Sequence, residues 1–153
     1  MTTASPHAHG VHFGRADVQN AGMGVGIVAL VVGVLAFIPG ITARYGELMF
    51  LGPNSHAMLF GLFQVSILLN IVQLVIGGTG WAMSRNEMGA RRFLMGAGAL
   101  YIILSIYGLS VGVDSAANFL SLNMTDSWTL LVAGVLMIAA GWMFSRHLAD
   151  DRK

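Results

Sequence analysis

The positions of the charged residues constrain this chain more than any other feature. No Asp, Glu, Lys or Arg occurs in residues 18–43, 48–84, 93–113 or 127–145, runs of 26, 37, 21 and 19 residues. A helix that crosses the hydrocarbon core of a bilayer needs about 20 mostly apolar residues. Each run therefore accommodates one span. The longest run opens with Gly52-Pro53-Asn54-Ser55, a turn cluster, so it holds one helix rather than two. The pattern predicts an all-α integral membrane four-helix bundle made of two helical hairpins, with spans at about 22–41, 57–83, 93–113 and 128–145. This domain covers residues 19–146, between polar tails at 1–18 and 147–153. Continuous apolar runs argue against a barrel, whose strands would alternate over about ten residues. The first run is longer than the apolar core of a signal peptide, about 7–15 residues.

Composition agrees. Hydrophobic residues make up 56% of the 153 and charged residues 10%, against about 25% charged in soluble domains. Mean hydropathy is +0.72. The expected partner is the lipid bilayer. Eight Lys and Arg against seven Asp and Glu leave no basic footprint for nucleic acid. Cysteine is absent, which removes disulfides, thiolate metal sites and cysteine nucleophiles.

The basic residues set an orientation. Arg15, Arg85, Arg91, Arg92, Arg146, Arg152 and Lys153 fall on one side of the predicted bundle, and Arg44 alone on the other. The positive-inside rule then places both termini in the cytoplasm. Tyr45 and Trp128 lie near the outer span ends, Trp81 and Trp142 near the inner ones, as interfacial aromatics do. Asn54-Ser55 and Asp126-Ser127 read as helix-capping signals before the second and fourth spans.

Within the spans, small residues come first. Gly22, Gly26, Ala29, Gly33, Ala36 and Gly40 share one helical face. Such a stripe lets a second helix approach closely, so Gly22, Gly26, Gly33 and Gly40 read as packing residues rather than as a pore wall or cofactor groove. The second span carries a polar stripe, Ser66, Asn70 and Gln73, with Gln64 off that face. An amide in hydrocarbon needs a partner, and Tyr101 and Ser105 of the third span are candidates. Interhelical hydrogen bonding and a path for substrate are both open readings of the stripe.

No ionisable residue lies in the central part of any span, which speaks against proton relays and coupled transport. His7, His9 and His12 cluster in the N-terminal tail, where a polar tail is the simpler reading than a weak metal site. Glu47, His56, Asp114 and Asp126 fall in the outer connections. They read either as a metal site rich in oxygen and imidazole or as solvated loop and capping residues. No nucleophile elbow, phosphate loop or zinc-protease motif is present. No catalytic residue, metal or cofactor is expected.

Three groups of residues resemble a known family. They are Phe37-Ile38-Pro39-Gly40-Ile41-Thr42; then Gly61-Leu62-Phe63-Gln64-Val65-Ser66 with Asn70-Ile71-Val72; and Asp114-Ser115-Ala116-Ala117-Asn118-Phe119 with Leu122-Asn123 and Asp126-x-Trp128. In order and spacing they resemble the actinobacterial four-helix membrane proteins grouped as domain of unknown function family 4383. The resemblance runs from about Gly22 to Gly141 and implies a multi-pass protein of the bacterial plasma membrane, without an assigned activity. Members resemble His-Asn-x-x-His in the second span and carry a further His early in the fourth. Here those positions are Leu69, Asn70, Gln73 and Leu130. Any metal or haem those histidines hold would lack its imidazoles in this chain.

Two functional readings follow. The first is a non-enzymatic accessory or packing subunit, partnered by a larger membrane complex or by a second copy of itself. The second is a binder or conduit for a small neutral or lipidic molecule that uses the polar stripe of the second span.

Overall fold

A computed structural model describes residues 15–150, with side chains between 17 and 143. The tail histidines His7, His9 and His12 lie outside the described residues. Four helices carry the fold: α1 (Arg15–Leu35), α2 (Ile67–Met83), α3 (Glu87–Ser110) and α4 (Met124–Asp150). Three two-residue strands, β1 (Thr42–Ala43), β2 (Met58–Leu59) and β3 (Phe63–Gln64), form a small antiparallel sheet in that order. Thr42 pairs with Leu59, and Leu59 with Phe63. The fold is all-α, and the sheet is a minor element at one end. Asp17–Leu35, Glu87–Ser110 and Met124–Met143 are long and apolar enough to cross a membrane.

The first two spans are shorter than the charge-free runs allow. α1 ends at Leu35 rather than near Ile41. Pro39 cannot donate to a helix and pushes the residue before it towards extended backbone. The Thr42 hydroxyl donates to the Ala36 carbonyl at 3.1 Å, closing the turn just beyond the helix end. Gly40 follows with φ +93°, a left-handed conformation suited to glycine, and a Cβ there would meet nothing within 4 Å. Gly40 is thus a turn residue, not a packing residue, because the helix that would carry it on the stripe has already ended.

α2 starts at Ile67 rather than near Ala57, and residues 36–66 instead build a cap over the helix ends. The start is fixed by hydrogen bonds. Ile67 N donates to Met49 O and Leu68 N to Phe50 O, both at 3.0 Å. Leu69 N donates to the Ser66 hydroxyl at 3.2 Å, and Asn70 N to Ser66 O at 2.9 Å. The first-turn donors of the helix are therefore all satisfied by the cap. Ser66, not Asn54-Ser55, caps α2, and Gln64 lies in β3 rather than on a helix.

The cap exposes apolar side chains such as Met49, Phe50, Leu51, Phe60 and Leu62 beside the charged Arg44 and Glu47, and is hydrogen-bonded within. The buried Ser55 hydroxyl donates to Val65 O at 2.5 Å, and Gln64 Nε2 donates to Ser55 O at 2.7 Å. Asn118 Nδ2 donates to Leu122 O at 3.0 Å, and the Ser121 hydroxyl donates to Gly52 O. Ser66 Oγ reaches Leu120 O at 3.0 Å, tying the second connection to the first. Non-helical backbone in a charge-free stretch persists where protein groups satisfy it in place of water.

The helices pair as two hairpins, α1 on α2 and α3 on α4, with α3 also resting on α1 and α2. Small residues set both pairs. A Cβ at Gly26 would lie 2.8 Å from Trp81 N, and one at Gly33 would lie 2.9 Å from the Leu74 side chain. One at Gly22 would run into the Ser84 hydroxyl. α2 answers with Gly77 and Gly80 against the same crossing. In the second pair, a Cβ at Gly98 would lie 2.9 Å from Gly134 O, and one at Gly134 2.7 Å from Gly98 O. Such contacts bring backbones together where no side chain could fit, the usual way helices gain dispersion energy in lipid.

Candidate functional site

α1 and α4 barely touch; α1 packs on α2 and α3, and α4 packs on α3. Between them runs a groove of about 620 Å³. It extends along α1 from Asn20 to Val32 and along α4 from Asp126 to Ala140. At 1.5 Å per residue each edge is roughly 20 Å long. Volume and length together give a mean cross-section of roughly 30 Å², a long, narrow shape. Its volume falls within the range of small-molecule sites, about 300–1,000 Å³.

The walls are mostly aliphatic, from Val25 and Ala29 on α1, Leu94 on α3, and Leu130, Ala133 and Met137 on α4. The cap closes one end with Leu59, Phe60, Phe63 and Leu122. Phe60 holds φ 53°, unusual for a bulky residue, and its ring is exposed at this end. The Phe60-Gly61-Leu62 turn that joins β2 to β3 needs that conformation.

Polar atoms are few and belong largely to the stripe read from the sequence. Ser66 is consumed by the cap, as the N-cap of α2 and a donor to Leu120 O. Gln73 lines the groove, and its Oε1 accepts the Tyr101 hydroxyl of α3 at 2.7 Å. Asn70 also lines the groove, is only 2% exposed, and its Nδ2 has no hydrogen-bond partner. One turn beyond Tyr101 on α3, Ser105 is fully buried and its hydroxyl is likewise unpartnered.

The four acidic and imidazole residues of the connections do not come together. Glu47, His56 and Asp114 are exposed, and Glu47 pairs with Arg44 at 4.0 Å. Among the described residues no three His, Cys, Asp or Glu are placed to hold a metal. Asp126 alone is buried, at the cap end of the groove. Its Oδ2 accepts from Gln64 N and from Asn123 N, each at 3.0 Å, while Asn123 Oδ1 accepts from Asp126 N at 2.8 Å. The last two bonds are the reciprocal pair of a capping box, so α4 is capped by Asn123 rather than by Asp126-Ser127. Asn-x-x-Asp spacing ahead of an apolar run is legible in the sequence and marks this start. The groove itself has no such signal, because it depends on which helices do not meet.

The family model described as domain of unknown function, DUF4383, matches residues 19–143. The chain belongs to the DUF4383 family. No curated protein and no solved structure matches it. The match spans all four helices and the cap, so the groove lies wholly inside the DUF4383 unit. Leu69, Gln73 and Leu130, where the resemblance implies histidines, all line the groove. The departure seen in the sequence is therefore concentrated at one place in the fold.

Proposed function

We propose that this protein is a non-enzymatic, multi-pass protein of the bacterial plasma membrane that holds the apolar chain of a lipidic molecule between α1 and α4. The groove carries this reading: it is long, narrow and aliphatic, with two amides on one wall. A chain of this hydropathy presents such a groove to acyl chains, and burying apolar surface against matched walls gains dispersion contacts. Both termini face the cytoplasm in this reading, on the strength of the basic residues, so the cap faces outward. The groove favours the binding reading over the accessory-subunit reading, which needs no such space.

The test is mass spectrometry of the gently solubilised protein. One lipidic molecule should remain bound per chain. Gly24→Phe should remove it, since Gly24 lines the groove and has open space around its Cβ. Val31→Phe, on a half-exposed position outside the groove, should not. Bare protein in every case, or equal lipid retention in both variants, refutes the reading.

A further inference from the structure

α2 is too short to cross a membrane by itself. It has 17 residues, Ile67–Met83. At 1.5 Å per residue it reaches about 25 Å. The hydrocarbon core of a bilayer is about 30 Å thick. Tilt would shorten that reach further. At the far end of α2, Met83 is followed at once by Ser84, Arg85 and Asn86, so the apolar stretch stops there. The missing length falls at the other end, ahead of Ile67, where the chain is the cap.

The cap suits that position. Met49, Phe50, Leu51, Phe60 and Leu62 are about half exposed, Phe50 at 56% and Phe60 and Leu62 at 58%, as open as Val132 on α4 at 56%. Both apolar stretches are level with helix starts. Met49 O and Phe50 O accept from Ile67 N and Leu68 N, and Leu62 O accepts Asn123 Nδ2 at 2.9 Å, just ahead of α4. The backbone donors of the Phe60-Gly61-Leu62 turn are met inside the protein. Phe60 N donates to Ile41 O at 3.1 Å, Gly61 N to Met58 O at 3.3 Å, and Leu62 N to Leu59 O at 3.1 Å. Gly52 N, after Leu51, donates to Phe119 O at 2.8 Å. Irregular backbone enters hydrocarbon only where protein satisfies it, and here those donors are satisfied. The exposed charges Arg44, Glu47 and Asp114 lie outside both stretches.

We propose that the cap is a membrane-embedded element: residues 49–51 and 60–62 insert among the acyl chains of the adjoining leaflet, with Arg44, Glu47 and Asp114 at the head groups. The occupant of this apolar surface is the lipid that surrounds the helices, because both stretches lie in the charge-free run 48–84 that continues into α2. The inference stands apart from the groove reading and holds whether or not a molecule sits between α1 and α4.

The chain has no Cys, so one introduced cysteine carries a spin label at a single place. Phe50→Cys, Phe60→Cys and Leu62→Cys are compared in nanodiscs of phosphatidylcholine and phosphatidylglycerol. Val132→Cys is the lipid-facing reference, and Glu47→Cys and Asp114→Cys are the polar ones. Collision of each label with oxygen, which concentrates in hydrocarbon, is measured against collision with a water-soluble nickel chelate. Labels at 50, 60 and 62 should favour oxygen, as at 132, and labels at 47 and 114 should favour the chelate. Preference for the chelate at 50, 60 and 62 overturns the proposal by placing the cap in water. Shielding from both reagents also overturns it, by showing that a second copy or another protein covers the cap. The unsubstituted protein gives a further reading that needs no variant to fold. In the same nanodiscs, hydroxyl radicals generated in water should oxidise the exposed His56 and spare the half-exposed Met49. Oxidation of Met49 at least as fast as His56 refutes the insertion.

Discussion

Gly77 and Gly78 are neighbours on α2 with opposite surroundings, and alanine should stabilise only at Gly78. A Cβ at Gly77 would lie 2.6 Å from both Leu30 N and Leu30 Cγ, and 2.7 Å from Gly26 O. Ordinary contact begins at 3.4 Å, so α1 would have to withdraw by 3.4 − 2.6 = 0.8 Å at the point of crossing. Two of those three atoms are backbone and cannot rotate away. Overpacking of this kind typically costs about 1–3 kcal/mol. A Cβ at Gly78 would meet nothing within 4 Å. Both replacements gain about 1 kcal/mol of helix propensity, so that contribution cancels between them. The pair should therefore differ by about 1–3 kcal/mol, with Gly78→Ala above the parent and Gly77→Ala at or below it. At about 2–4 °C per kcal/mol, their midpoints in one detergent should be separated by roughly 2–12 °C. Thermal unfolding followed by circular dichroism measures this. Indistinguishable midpoints for the two variants would show that the α1–α2 crossing does not depend on the missing Cβ.

Gly33→Leu should also destabilise, because even a Cβ there lies 2.9 Å from Leu74, whereas Val31→Leu at a half-exposed position should melt with the parent. Gln73→Leu removes the acceptor of the Tyr101 hydroxyl and should lower stability by about 0.6–2 kcal/mol without preventing insertion, read as reduced resistance to unfolding in detergent. Reporter fusions should find Lys153 and Asn86 in the cytoplasm and the Asp114–Ser127 connection outside; an outward C-terminus would reverse the proposed orientation.

The parts of the fold legible in the sequence are those set by one-dimensional patterns. Charge-free runs locate four helices because lipid admits few alternatives to a helix. The face shared by Gly22, Gly26 and Gly33 locates the α1–α2 contact because the helical period brings them into line. Gly40 fits the same period and fails, since Pro39 sits between it and a continuous helix. The cap was hidden for a different reason. Residues 48–66 carry no charge, and a charge-free run alone does not separate a helix from a folded cap in which Ser55, Gln64 and Ser66 satisfy the carbonyls of Val65, Ser55 and Leu120. Asn70 and Gln73 were readable as polar residues needing partners. Only three dimensions show that one has a partner and the other does not.

The glycine contacts have a mechanical consequence. Each hairpin is locked along its length, α1 to α2 and α3 to α4, by backbones too close to slide past one another. The hairpins meet each other chiefly through α3. The molecule is thus built like a book, with two stiff covers and a spine along α3, open at the α1–α4 edge. The easiest deformation is rotation of the covers about that spine. Such a rotation changes the width between α1 and α4 while leaving both covers intact. The width between α1 and α4 is therefore set by the contacts along α3 and not by the packing inside either hairpin.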